Sequence, residues 1–202
     1  MYPSHWGGIK EFAPRALVVL AVLAFLLNMD GIFGAPPAKR ERAVEDMETY
    51  QVVEDRRVPV LASYIARRFN ASEKVAQKAV LAAFQASRET GLPASLILGV
   101  AAVESRFRPR ADNGVDKGIM QVNPRWHPEK VARIGGAAKL FDVGAGVKVG
   151  AQVLKEYSVS KDGHVVKMLL RYNGATLLNA YPGRVLAEKH RFDQILDSVR
   201  GS

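Results

Sequence analysis

The chain has 202 residues, 48% hydrophobic and 24% charged, with no cysteine and a formal net charge of +9. That length allows one domain, or one domain plus an appendage. The missing cysteines exclude a disulfide framework, a thiolate metal site and a cysteine nucleophile. The positive balance suits an acidic partner: nucleic acid, anionic lipid or an acidic polymer such as a cell wall. Zinc-finger spacing, RNP-like aromatics and a basic heptad region are all lacking, which argues against nucleic acid.

The first element is an apolar run from Ala16 to Leu27, ALVVLAVLAFLL, preceded by Lys10 and Arg15. As a helix it would be about 18 Å long, short of the roughly 30 Å hydrocarbon core. The length suits the apolar region of a secretory signal. Stretching the segment from Phe12 to Phe33 would span a bilayer, but takes in Pro14, Arg15, Asn28 and Asp30. A cleaved signal and a retained signal-anchor fit equally. Gly34 suits a cut site, whereas Ile32 is not small and Pro36 and Pro37 crowd it. Lys39, Arg40 and Arg42 follow the run, so charge does not set its orientation. Residues 1–34 are therefore expected to be a signal peptide or signal-anchor. Residues 35–57, rich in Pro, Arg and Glu, are expected to be a tether. Residues 58–202 form the domain.

Within that domain the apolar spacing is mostly 3 and 4, which predicts an all-α fold of about six helices. Leu61, Ile65 and Phe69 make one stripe. Asn70 with Glu73 reads as a capping pair for a helix whose Ala76, Val80, Ala83 and Phe84 share a face. Gly91 ends that helix, and Pro93 suits the first turn of the next. The next helix carries Leu96, Val100 and Val103 and stops near Phe107 and Pro109. Residues 110–118, RADNGVDKG, read as a loop. Two more helices carry Val143, Val147, Ala151 and Leu154, then Val165, Leu169 and Tyr172. A last one runs from about Gly183 with Val185, Leu196 and Val199. His127 and His164 are isolated, lack metal-ligand spacing, and read as surface residues.

Glu104 stands out in this pattern. It lies four residues after Val100 and eight after Leu96, beside the apolar face. Burial and the negative end of the helix both oppose its ionisation. A carboxylic acid that keeps its proton near neutral pH is what a general acid requires. Pairing with Arg106 or Arg108 on a solvated helix end is the plain alternative. Met120 and Gln121, just past the loop, offer an apolar contact and an amide, a pairing that suits a carbohydrate.

Four separated blocks, in order, resemble those of the family 1 lytic transglycosylases, the soluble lytic transglycosylase domain with a lysozyme-like fold. Glu104-Ser105 in AAVESRFRPRA is similar to the family's Glu-Ser block, and Gly118 to Val122 (GIMQV) to its Gly-Leu-Met-Gln. Residues 140–154, LFDVGAGVKVGAQVL, resemble a block that usually reads Asn-Ile-x-x-Gly. Tyr172-Asn173 in LLRYNGA, then Tyr181 to Val185, resemble Ala-Tyr-Asn-Ala-Gly and Tyr-x-x-x-Val. The likeness covers about residues 75–190. Gly146 departs from the usual Asn, Arg171 from a small residue, and Gly174-Ala175 reverses the usual order.

The resemblance implies an exported enzyme, with no cofactor or metal, that cuts the β-1,4 bond between N-acetylmuramic acid and N-acetylglucosamine in peptidoglycan. Glu104 would be its single acid and base, and the product would carry a 1,6-anhydro end. Ser105, Met120, Gln121, Tyr172, Asn173 and Tyr181 would bind the glycan. The implied location is the periplasmic side of a bacterial envelope, either exported or anchored in the inner membrane through the N-terminal segment. Wall turnover, or local wall opening for a secretion machine, would be its role. Asn123-Pro124-Arg125-Trp126 is reminiscent of the secretion-linked members. A glycan-binding protein without catalysis and a goose-lysozyme-type muramidase are the alternatives. For the muramidase, Asp112 or Asp116 would supply a second carboxylate; as loop residues beside glycine, both also suit turn formation.

Overall fold

The computed structural model describes residues 56–158, 165–175 and 179–200, all within one unit, Thr49–Ser202. The apolar run at 16–27, residues 35–55 of the expected tether and His164 lie outside the described residues, whereas Arg57, placed in the tether, is the first residue of the first helix. Among those residues the fold is helical, and no helix is long and apolar enough to cross a membrane.

In chain order the helices are α1 (Arg57–Phe69), α2 (Glu73–Thr90), α3 (Ala94–Ser105), α4 (Pro128–Arg133), α5 (Val143–Ser158), α6 (Val165–Tyr172) and α7 (Tyr181–Arg200). A 3₁₀ turn, Ala137–Phe141, precedes α5. Helix α4 and this turn lie between residue 118 and Val143, where the apolar spacing had assigned no helix. Both are too short to show an apolar period, so the pattern could not find them.

Helix α3 sits at the centre, packed against α2, α5 and α7. Every residue from Ala94 to Ala102 is buried. The expected apolar stripe is thus an apolar cylinder, as in a helix surrounded by others. A core of this kind leaves one place for a polar residue to reach solvent, the end of the helix. Glu104 lies there.

The capping differs from the sequence expectation at one junction. Ser72, not Asn70, opens α2: its side chain accepts from the Val75 N–H at 3.3 Å. Asn70 instead closes α1 in the left-handed region, φ 54°, where Asn is tolerated better than other side chains. Gly91 closes α2 as expected, its N–H donating to Ser87 O at 2.9 Å. Helix α7 begins at Tyr181, two residues before the expected start.

Candidate functional site

The site grows from the way α3 ends. Arg106 and Phe107 both adopt positive φ, 55° and 59°, which turns the chain sharply out of the helix. The buried Phe107 ring anchors this turn by packing against Phe69 and Phe192. Ser105 fastens the same turn to the following loop. Its Oγ donates to Ile119 O at 2.7 Å and accepts from Arg108 N at 3.2 Å.

That loop is held by its own turn formers. Asn113 Oδ1 accepts from Val115 N and Asp116 N, and Asp112 Oδ1 accepts from Gly114 N. Lys117 and Val122 exchange backbone hydrogen bonds at 3.0 Å in both directions. Gly118 has φ 76°, and a Cβ there would lie 1.9 Å from Leu140 O. Only glycine lets the loop seat against the 3₁₀ turn. The same carbonyl would meet a Cβ at Gly146 at 2.8 Å. The departure from the family's Asn at 146 therefore goes with a 3₁₀ turn pressed close onto α5.

Glu104 is partly buried at the junction of two clefts. The wider, about 790 Å³, runs between the α1–α2 turn and the segment Arg106 to Asn113. The narrower, about 300 Å³, lies against α5 and α6 and is lined by Trp126, Tyr157 and Tyr172. Both include Gln121 as well as Glu104.

Burial pushes the Glu104 carboxyl up to about 7; the charge of Asp116 adds to that, while the Tyr181 hydroxyl and Arg184 oppose it. The Tyr181 hydroxyl donates to Glu104 Oε1. Tyr181 is 2% exposed, and burial, followed by the neighbouring Glu104, drives its own pKa far upward. It therefore remains a neutral donor. Its position is set by a relay: Asn173 Oδ1 accepts from Asn179 Nδ2, and Asn179 Oδ1 accepts from Tyr181 N at 2.9 Å.

The residues expected to bind glycan thus fall into two groups. Gln121, Tyr172 and Asn173 line the narrower cleft, and Gln121 the wider one too. Gln121 spends its amide protons on Ala111 O and Gly118 O, holding the loop. Tyr172 donates to Met120 O at 2.8 Å, leaving its ring as its contribution to the cleft. Ser105, Met120 and Tyr181 are buried. Met120 is 0% exposed and packs on Gly150, where a Cβ would meet its side chain at 2.6 Å. The Met120 side chain is a core residue here, because α5 presents a gap at Gly150 that it fills. Ser105 and Tyr181 act on Glu104 and its turn, not on the groove surface.

His127 is also buried, with Nε2 3.4 Å from the Tyr157 hydroxyl, in place of the surface position expected of it. An aromatic neighbour on α5, invisible in local sequence, covers it. Asp112 and Asp116 each line a cleft that includes Glu104, Asp112 the wider and Asp116 the narrower. Asp112 is exposed and paired with Lys117 at 2.8 Å. Among the described residues no group of His, Asp and Glu is arranged to hold a metal ion.

Trp126 is the residue that pattern reading undervalued. It is 67% exposed and its ring faces Gly174, where a Cβ would be 3.9 Å from Cζ3. A tryptophan in a polar stretch between two prolines was the available signal.

The family model described as Transglycosylase SLT domain matches residues 82–183, half of the chain. The match runs from within α2 to the first turn of α7 and includes every residue of the relay described above. No curated protein and no solved structure matches the chain.

Proposed function

This chain belongs to the transglycosylase SLT family, which acts on peptidoglycan, and from that premise we propose that it is a lytic transglycosylase with Glu104 as sole acid and base. Glu104 protonates the glycosidic oxygen between N-acetylmuramic acid and N-acetylglucosamine, and the C1–O bond breaks. The carboxylate so formed takes the proton from the muramoyl C6 hydroxyl, whose oxygen closes onto C1. The product is a 1,6-anhydro end, and Glu104 regains its proton. Water takes no part in the bond-breaking step. The substrate's acetamido group supports the cationic centre, so a second carboxylate of the usual glycosidase kind is dispensable.

One observation carries this reading: a carboxyl with a pKa of about 7 at the meeting point of two clefts, held by a buried neutral hydroxyl. Near neutral pH such a group both gives and takes a proton readily. Trp126 and Tyr172 supply flat apolar faces for sugar rings in the narrower cleft. Residues 1–34 export the domain or hold it at the membrane and residues 35–57 tether it. Residues 58–202 then work on the wall from the periplasmic side, in turnover or in opening a path for a secretion machine.

Asp116 gives a second reading a footing. It shares the narrower cleft with Glu104 and acts on its charge, so a muramidase using both carboxylates is the competitor. Digestion of purified sacculi followed by mass analysis separates the cases. Anhydro ends that vanish with Glu104→Gln support the transglycosylase. Reducing ends lost with Asp116→Asn support the muramidase. No cleavage leaves a glycan binder.

A further inference from the structure

The wider cleft has a chemistry that the cutting of a neutral sugar linkage does not need. Arg106, Arg108 and Arg110 all line it, and all three are exposed while Phe107 between them is buried. The buried ring anchors the segment, and the three arginines border one and the same cleft. Two of them are held in place. Arg106 lies over the Phe69 ring, 5.6 Å from its centroid. Arg108 Nε donates to Ser105 O at 2.9 Å, leaving its terminal nitrogens as donors.

The nearby carboxylates are already engaged. Asp112 is bound by Lys117 Nζ and Gly114 N, and Glu104 accepts from Tyr181. Among the described residues the ion pairs of the chain do not include Arg106, Arg108 or Arg110. Guanidiniums fixed by their own stacking or hydrogen bonds lose little entropy when they meet a carboxylate. Two successive side-chain-bearing residues in the left-handed region are also costly, and such strain concentrates at ligand clamps.

We propose that the wider cleft is a subsite for the free carboxylates of the peptide stems borne by the glycan, recognised by Arg106, Arg108 and Arg110. This rests on the reading of peptidoglycan as the polymer in the groove. The enzyme then selects strands whose stems still end in free carboxylates. The narrower cleft, lined by aromatic rings, holds the sugar faces on the other side of Glu104.

The test is binding, separated from turnover by using the full-length Glu104→Gln protein. Fluorescently labelled, uncrosslinked strands are titrated in three forms: native, with stem carboxylates converted to amides, and with stems removed to leave only the lactyl carboxylate. Native strands should bind about tenfold more tightly than either other form, as expected for a few exposed charge pairs. The added Arg106→Gln/Arg110→Gln pair should abolish that difference, and Arg110→Gln alone, which breaks no hydrogen bond or ion pair among the described residues, should reduce it. Retention of native stability by the variants is read from thermal melting. Equal binding of native and amidated strands overturns the proposal. So does a loss of affinity in the variants that is the same for all three forms. Tight binding of stem-free strands would assign the subsite to the lactyl group and overturn it too. Anhydro-end formation by the unmodified protein is scored separately, so carboxylate-dependent binding without turnover removes the transglycosylase reading and leaves this one standing.

Discussion

The two arms of the groove meet at Glu104, yet different side chains line them. The wider arm is made of a strained, arginine-rich turn facing the start of α2. The narrower arm sets the rings of Trp126, Tyr157 and Tyr172 among polar side chains, Asp116, Asn123 and Asn173. Charge recognises an anion at some distance but is weakened by water and salt. Aromatic faces act only in contact and depend little on ionic strength. An acid placed between them borders both surfaces, and its proton is governed mainly by its own burial. Burial and the Asp116 charge raise its pKa, while Tyr181 and Arg184 restrain the rise.

The largest effect should come from the junction itself. Glu104→Gln should reduce anhydro-end release about 10³-fold or more, the scale of losing a general acid and base. The same substitution should change stability in a pH-dependent way. Unfolded, Glu104 loses its proton near its ordinary value of 4.5; folded, it keeps it to about 7. Between those values the native state holds more protons, so wild-type stability falls as pH rises and levels off above the folded pKa. Urea unfolding should therefore find Glu104→Gln equal to wild type near pH 4 and more stable by about 3 kcal/mol near pH 8. No pH dependence in that difference would mean that the carboxyl is not desolvated.

Next in size is the narrower arm. Trp126→Ala should raise KM about tenfold with kcat little changed, the loss of one stacking contact. It should do so equally on native and amidated strands, and equally at low and high salt. A loss confined to native strands would erase the distinction between the arms.

Tyr181→Phe probes the junction more finely. In wild type, kcat/KM should be level at low pH and fall above about pH 7 as Glu104 ionises. The Tyr181 hydrogen bond favours the ionised carboxyl, so removing it should move the falling limb to higher pH. A limb that stays put would make Tyr181 a packing residue alone. The smallest effect belongs to the far wall of the wider arm: Ser72→Ala should cost about 1 kcal/mol by uncapping α2, measured in urea.

Much of this was legible before any coordinates. The 3.6-residue period found the long helices because each must bury a stripe, and Gly91 marked a real helix end. Glu104 was conspicuous because a charged side chain closed an otherwise apolar segment. Two kinds of residue misled the pattern. Met120 looked like a cleft contact, but whether a side chain faces solvent depends on what lies opposite, and Gly150 of α5 lies there. His127 looked isolated in sequence, but Tyr157 sits beside it in space. The Asn70–Glu73 capping pair failed for a smaller reason: Ser72 was two residues nearer and met the geometry.

The amino-acid sequence by itself determined the helical class, the family blocks and the position of the acid, because these depend on local spacing and residue type. Only the tertiary structure decided how far that carboxyl is desolvated and what flanks it. Tyr181 lies 77 residues away along the chain from Glu104, and Trp126 shares its cleft with Val153 and Tyr157 of α5 and Tyr172 of α6. Desolvation and charge act through space, so a pKa is a property of packing, and no run of neighbouring residues can encode it.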